Sequence, residues 1–160
     1  MNGYRIEAEL ILTGDGSAYD DGVVIVRDGR VAYAGSAQST PPSPELSTVA
    51  VPVVMPGMWD AHCHFFGIPV PNLEALVTQP ITVRAMRVTK DAARALDAGF
   101  TSVREVGGLG VYLARAIAEG FVDGPDVYAA GSILSTTGGH GDIHSIPEAW
   151  MGGPERIDDL

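Results

Sequence analysis

The sequence predicts an α/β chain in two parts, a small β unit over residues 1–55 followed over residues 56–160 by the alternating strands and helices of a parallel sheet. Three observations carry this. Residues 4–36 show strand-like alternation around a tight-turn signal. From residue 82 the apolar period turns helical and is interrupted by short apolar stretches. Between the two, an apolar run ends in Asp60-Ala61-His62-Cys63-His64.

In the first part, Ile6, Ala8, Leu10 and Leu12 alternate with polar or outward positions, as one buried face of a strand requires. Val23-Val24-Ile25-Val26 and Val31-Ala32-Tyr33-Ala34 flank Arg27-Asp28-Gly29-Arg30. Asp-Gly supplies the positive φ angles of a two-residue hairpin turn, so these two runs are predicted to pair antiparallel. Ser36-Ala37-Gln38-Ser39-Thr40-Pro41-Pro42-Ser43-Pro44 is too rich in Pro and Ser for a core element and reads as a surface linker.

The apolar run Val51-Pro52-Val53-Val54-Met55-Pro56-Gly57-Met58-Trp59 leads into the His pair. Side chains alternate between the faces of a strand, which places His62 and His64 on one face about 6.6 Å apart. Two imidazoles at that spacing can converge on a zinc ion or a similar divalent metal. Cys63 then points the other way and reads as a small buried hydrophobe. Asp60 is placed to orient a strand-end histidine or the local backbone.

Further along, Val83, Met86, Ala93 and Leu96 fit one helix face, and Gly99 can form a left-handed cap before a strand starting at Phe100. Leu113, Ala114, Ile117 and Ala118 mark a second helix that Gly120 can end, and Val127-Tyr128-Ala129-Ala130 follows as a short apolar strand. Strand, helix, strand, helix, strand is the order of a parallel sheet. Gly108-Leu109-Gly110 lies where a glycine loop can cradle a pyrophosphate, but residue 113 is Leu113 and no acid closes a following strand, so a tight turn is the better reading. Pro154 and the acids after it begin another helix.

Composition narrows the function classes. At 46% hydrophobic and 19% charged the chain can bury a core, and no apolar run approaches the roughly 18 residues of a membrane span. A net charge of -10 argues against binding nucleic acid through its phosphates. The single cysteine allows no internal disulfide and the N-terminus lacks a secretory layout, so a reducing cytoplasm is expected.

Met55-Pro56-Gly57-Met58-Trp59-Asp60-Ala61-His62-Cys63-His64 resembles the Pro-Gly-x-x-Asp-x-His-x-His signature of the metal-dependent amidohydrolase superfamily. Phe100-Thr101-Ser102-Val103-Arg104-Glu105-Val106-Gly107-Gly108 is similar to that family's second barrel strand, and Ser135-Thr136-Thr137-Gly138-Gly139-His140-Gly141-Asp142 to the loop after its third. The branch implied is that of prolidase-like and imidazolonepropionase-like hydrolases. The fold implied is the first three units of a (β/α)8 TIM barrel, preceded by a small β-sandwich-like portion that C-terminal strands complete.

Because such a barrel needs about 250 residues, the chain is expected to be an N-terminal fragment, with the later histidine ligands and the acid/base aspartate lying beyond residue 160. The resemblance gives His62 and His64 to the more buried of two metals and His140 to substrate contact. Arg104 could grip a substrate carboxylate, or pair with Glu105 or Asp60. His144 reads as a loop histidine. Lys90, the only lysine, falls in a helix and not at the fourth-strand position of the family's metal-bridging carbamylated lysine. The implied function is hydrolysis of an amide or peptide-like C–N bond by a metal-activated hydroxide, acting on a small amide, dipeptide or N-acyl amino acid in a homo-oligomeric full-length enzyme. A non-catalytic metal-binding module and a nucleotide-binding βαβ protein are the alternatives.

Overall fold

Asp28 and Gly29 adopt φ of 50° and 75°, and these left-handed angles join β2 (Ala18–Arg27) to β3 (Arg30–Ser36) with Arg27 opposite Arg30. The predicted hairpin is thus formed. The computed structural model describes residues 3–147, which fall into two units that divide between Pro56 and Gly57.

In the first unit β1 (Gly3–Leu12) pairs antiparallel with β2 and parallel with β4 (Ser47–Val54), giving one sheet in the order β3-β2-β1-β4. Ala8, Ile11 and Val24 form its buried cluster, with Ile6, Val26, Val51 and Val54 packed against them. Leu12, expected inward, is exposed, and Ile11 is buried instead. The change falls just past Glu9, where Asp21 opposite it has φ of 49° and Pro52, on the other side, has no N–H to give. Simple alternation fails past that point.

The apolar run before the His pair is not one strand. β4 takes its first part, and after Met55-Pro56-Gly57 a new strand, β5 (Met58–Cys63), begins in the second unit. The 36–44 linker holds a short 3-10 turn over Ala37–Ser39, capped by the Ser36 hydroxyl accepting from the Gln38 N–H. Among the described residues the first unit has a single sheet, the portion that further strands are expected to complete.

The second unit carries the strand–helix order that the sequence predicts. β5, β6 (Phe100–Glu105) and β7 (Asp126–Ala129) form a parallel sheet in that order. A short α1 (Ala75–Thr78) and then α2 (Ile81–Asp97) connect β5 to β6, and α3 (Gly110–Ala118) connects β6 to β7. Phe65, Val88, Ala92, Val103, Leu109 and Leu113 form the core between sheet and helices.

The face of α2 that packs differs from the one expected. Arg84, Val88 and Ala92 are buried at i, i+4 and i+8, whereas Val83, Met86 and Leu96 are exposed. The smaller Val88 and Ala92 let the helix approach the sheet. Arg84 is buried because its guanidinium donates to the carbonyls of Phe66 and Leu76 at 3.0 and 2.9 Å, tying the connection after β5 to the helix. Gly99, at φ of 90°, donates to Leu96 O and ends α2 as predicted. The helix expected from Pro154 lies outside the described residues.

Candidate metal centre

β5 and β6 do not run in simple register. Asp60 pairs with Val103 and Cys63 with Glu105, so three steps on β5 face two on β6, a bulge at Ala61 and His62. The Asp60 carboxylate holds it by accepting the His62 N–H at 3.0 Å. Past the bulge Cys63 packs toward the helices, and the flanking His62 and His64 turn to the other face at the C-terminal end of the strand. Their ring centroids are 5.2 Å apart with planes at 76°.

His64 is held on two sides. Its Nδ1 lies 2.8 Å from Gly107 O, and its ring stacks on Phe66 at 4.8 Å and 12°. A carbonyl only accepts, so Nδ1 carries a proton, and in the neutral ring Nε2 then offers its lone pair. That is the state a metal-binding imidazole needs. His62 is exposed, with its backbone N–H held by Asp60 and its ring set against that of His64.

Behind the pair lies Glu105, fully buried at the end of β6 on the same sheet face as Val103. Its Oε1 accepts from the Phe65 N–H at 3.4 Å, while Oε2 has no hydrogen-bond partner among the described residues. Burial raises its pKa. The N–H groups of Phe65 and Gly107, the neighbouring His64 and the N–H of Gly110 pull the other way, although neither glycine completes a bond to Oε2. Gly108 and Gly110 stand so close that a Cβ on either would collide with this carboxylate. The glycine loop therefore wraps an internal carboxyl group at the start of α3, in the place a nucleotide-binding protein would give to a pyrophosphate.

Arg104 donates from Nε to Ala61 O at 2.7 Å and forms no ion pair among the described residues. Neither expected pairing occurs, because Glu105 faces the helices from the opposite side of the strand and the Asp60 carboxylate is engaged with His62 N–H. Arg104 shares its face with Trp59 and Tyr128, which stack at 5.0 Å. His140 is exposed in the loop after β7. That loop reaches the site through Ile133, whose side chain lies against Gly107 and Gly141. Asp142 braces the loop by accepting the Gly138 N–H at 2.7 Å, and His144 Nε2 lies 3.3 Å from Gly139 O. Lys90 is exposed on α2. Cys63 is half-buried, and burial, then Asp60 and Glu105, push its thiol up to about 11.

The donor set fits a metal in part. Two imidazoles stand edge to face at 5.2 Å, yet no group of three His, Cys, Asp or Glu side chains that could hold a metal forms among the described residues. Two nitrogens are half of a tetrahedral set. Sequence reasoning missed Glu105, Phe66 and the Gly107 carbonyl. The signal available was an acid two residues before a double glycine at a strand end, Glu105-Val106-Gly107-Gly108.

An amidohydrolase family model matches residues 53–156. The chain belongs to the amidohydrolase family. Ochratoxinase of Aspergillus niger is 38% identical over 148 residues, which cover 89% of this chain and 31% of that protein. Its crystal structure superposes with a TM-score of 0.80 at 33% identity, covering 92% of this chain and 36% of that one. A prolidase solved with N-methylphosphonate-L-proline gives a TM-score of 0.76 at 30% identity, covering 88% and 35%. This amidohydrolase chain thus spans about a third of the length of the relatives it matches. No helix of the described residues is long and apolar enough to cross a membrane.

Proposed function

We propose that this chain is the N-terminal part of a metal-dependent hydrolase that cleaves amide or peptide-like C–N bonds in small substrates, with His62 and His64 as two of its metal ligands. The observation that carries the reading is the His64–Gly107 hydrogen bond beside His62 at the C-terminal end of β5, the end at which (β/α)8 enzymes carry their chemistry. In this reading residues 56–160 are the first three units of such a barrel, and residues 1–55 belong to a small β domain. Further strands, ligands and the acid/base group come from sequence beyond these residues. A prolidase and a Xaa-Pro dipeptidase among the similar structures support a dipeptide or N-acyl amino acid as substrate.

When bound, a zinc-type ion supplies a water whose pKa falls from about 15.7 toward 7 and polarises the carbonyl to be attacked. The chain's own residues prepare the place. Asp60 fixes the backbone that carries His62, and Gly107 and Phe66 fix the ring of His64. Arg104, tethered to Ala61 O through Nε, keeps its other nitrogens for a substrate carboxylate. His140, on the loop that meets Gly107 through Ile133, is a substrate contact in the same reading.

The test is hydrolysis of a panel of dipeptides and N-acyl amino acids by the full-length protein with and without zinc. Turnover that chelation removes, zinc restores and His62→Ala abolishes supports the proposal. Turnover that survives chelation and His62→Ala rejects it.

A further inference from the structure

Glu105 has no part in the chemistry proposed above, yet the fold goes to some length to keep it. Its side chain is fully buried and Oε2 lacks a partner, a cost an apolar residue would avoid. Around it the backbone is shaped to match: Gly107 and Gly108 take φ of 138° and 144°, and Gly108 and Gly110 leave no room for a Cβ beside the carboxylate. Its Oε1 holds the Phe65 N–H, while Phe65 O receives the Leu109 N–H at 3.0 Å, so β5 and β6 are joined on both sides of the carboxylate.

We infer that Glu105 is a positioning residue for the His62–His64 centre: its carboxylate sets the 107–110 loop so that Gly107 O receives the His64 Nδ1 proton and leaves Nε2 free to ligate. The inference rests on the metal reading above. A metal-binding histidine depends on the partner of its other nitrogen for tautomer and ring orientation. Here that partner is a carbonyl at a φ that only glycine adopts readily, in a loop moulded on Glu105. Altering the carboxyl group alters what the loop is folded around. The carbonyl then loses its fixed place.

The experiment uses full-length protein with nitrogen-15 histidine, and reads the His64 tautomer in long-range proton–nitrogen spectra of the metal-free form, alongside zinc titration. Wild type is expected to hold the His64 proton on Nδ1. Glu105→Gln, with its fold checked by circular dichroism, is expected to mix the two tautomers and weaken zinc binding about 10- to 100-fold. Where that variant does not fold, Glu105→Asp, which keeps the carboxyl group but draws it back by one methylene, is expected to show the same loss. The His64 proton on Nε2 in wild type overturns the inference, and so does a folded variant with the wild-type tautomer and zinc affinity. A wild type that keeps the Nδ1 proton but binds no zinc rejects the metal reading and leaves the Glu105–His64 coupling standing.

Discussion

His64 donates its Nδ1 proton to the carbonyl of Gly107 across 2.8 Å, so one imidazole joins the end of β5 to the loop after β6. Phe66 covers the ring from the side, and Arg84 fastens Phe66 by its carbonyl. The His64 ring is thereby oriented by two other chain segments, the loop at Gly107 and, through Phe66, the helix that carries Arg84. Such preorganisation is what a binding site on rigid elements requires.

Asp60 should act through the backbone of His62. Because its carboxylate accepts the His62 N–H at the β5 bulge, Asp60→Ala is expected to weaken zinc binding by the full-length protein about 10- to 100-fold. Asp60→Asn keeps an acceptor oxygen and should stay near wild type. Equal losses in the two variants would contradict a backbone role.

Gly108 should tolerate no side chain. At φ of 144° with Glu105 and Phe65 against it, alanine there adds a collision to the conformational cost of roughly 1–3 kcal/mol. Gly16, at φ of 95° in open space, carries the conformational cost alone. In thermal unfolding Gly108→Ala should lower the midpoint by several degrees more than Gly16→Ala, and equal shifts would show that the loop is not packed on the carboxylate.

Two exposed carboxylates of the first unit should lose their advantage in acid. Asp15 is held below its usual 3.8 by the Thr13 hydroxyl and then the Ser17 N–H, and Glu45 below 4.5 by its own backbone N–H and then Arg27. A carboxyl with a depressed folded pKa stabilises above its unfolded value, and that contribution disappears as pH falls through the folded one. Carbon-13 titration by NMR should therefore find both below these values, and Thr13→Ala should raise Asp15 while leaving Glu45 unmoved.

Much of this architecture was legible in the sequence because it follows from local rules. Asp28-Gly29 dictates its hairpin, Gly99 its helix end, and the change from period 2 to period 3.6 the parallel strand–helix order. What escaped depends on contacts between segments. The packed face of α2 follows Val88, Ala92 and a buried Arg84, which hydrophobicity alone does not favour over Met86 and Val83. The burial of Ile11 in place of Leu12 falls just past Glu9, where Asp21 with positive φ and Pro52 stand on the neighbouring strands.

The candidate site divides in the same way. His62, His64 and Asp60 stand together in sequence and could be read there. Gly107, 43 residues beyond His64, and Glu105 act on it from the end of another strand, through a carbonyl and a loop shape at which the acid and the double glycine only hint in sequence.

Anomalous diffraction at the zinc edge, on crystals of the zinc-loaded full-length protein, tests the central claim most directly. The account predicts a peak about 2.0–2.1 Å from His64 Nε2 and from a ring nitrogen of His62. A preparation with zinc-dependent activity whose anomalous peaks all lie away from both histidines would contradict it.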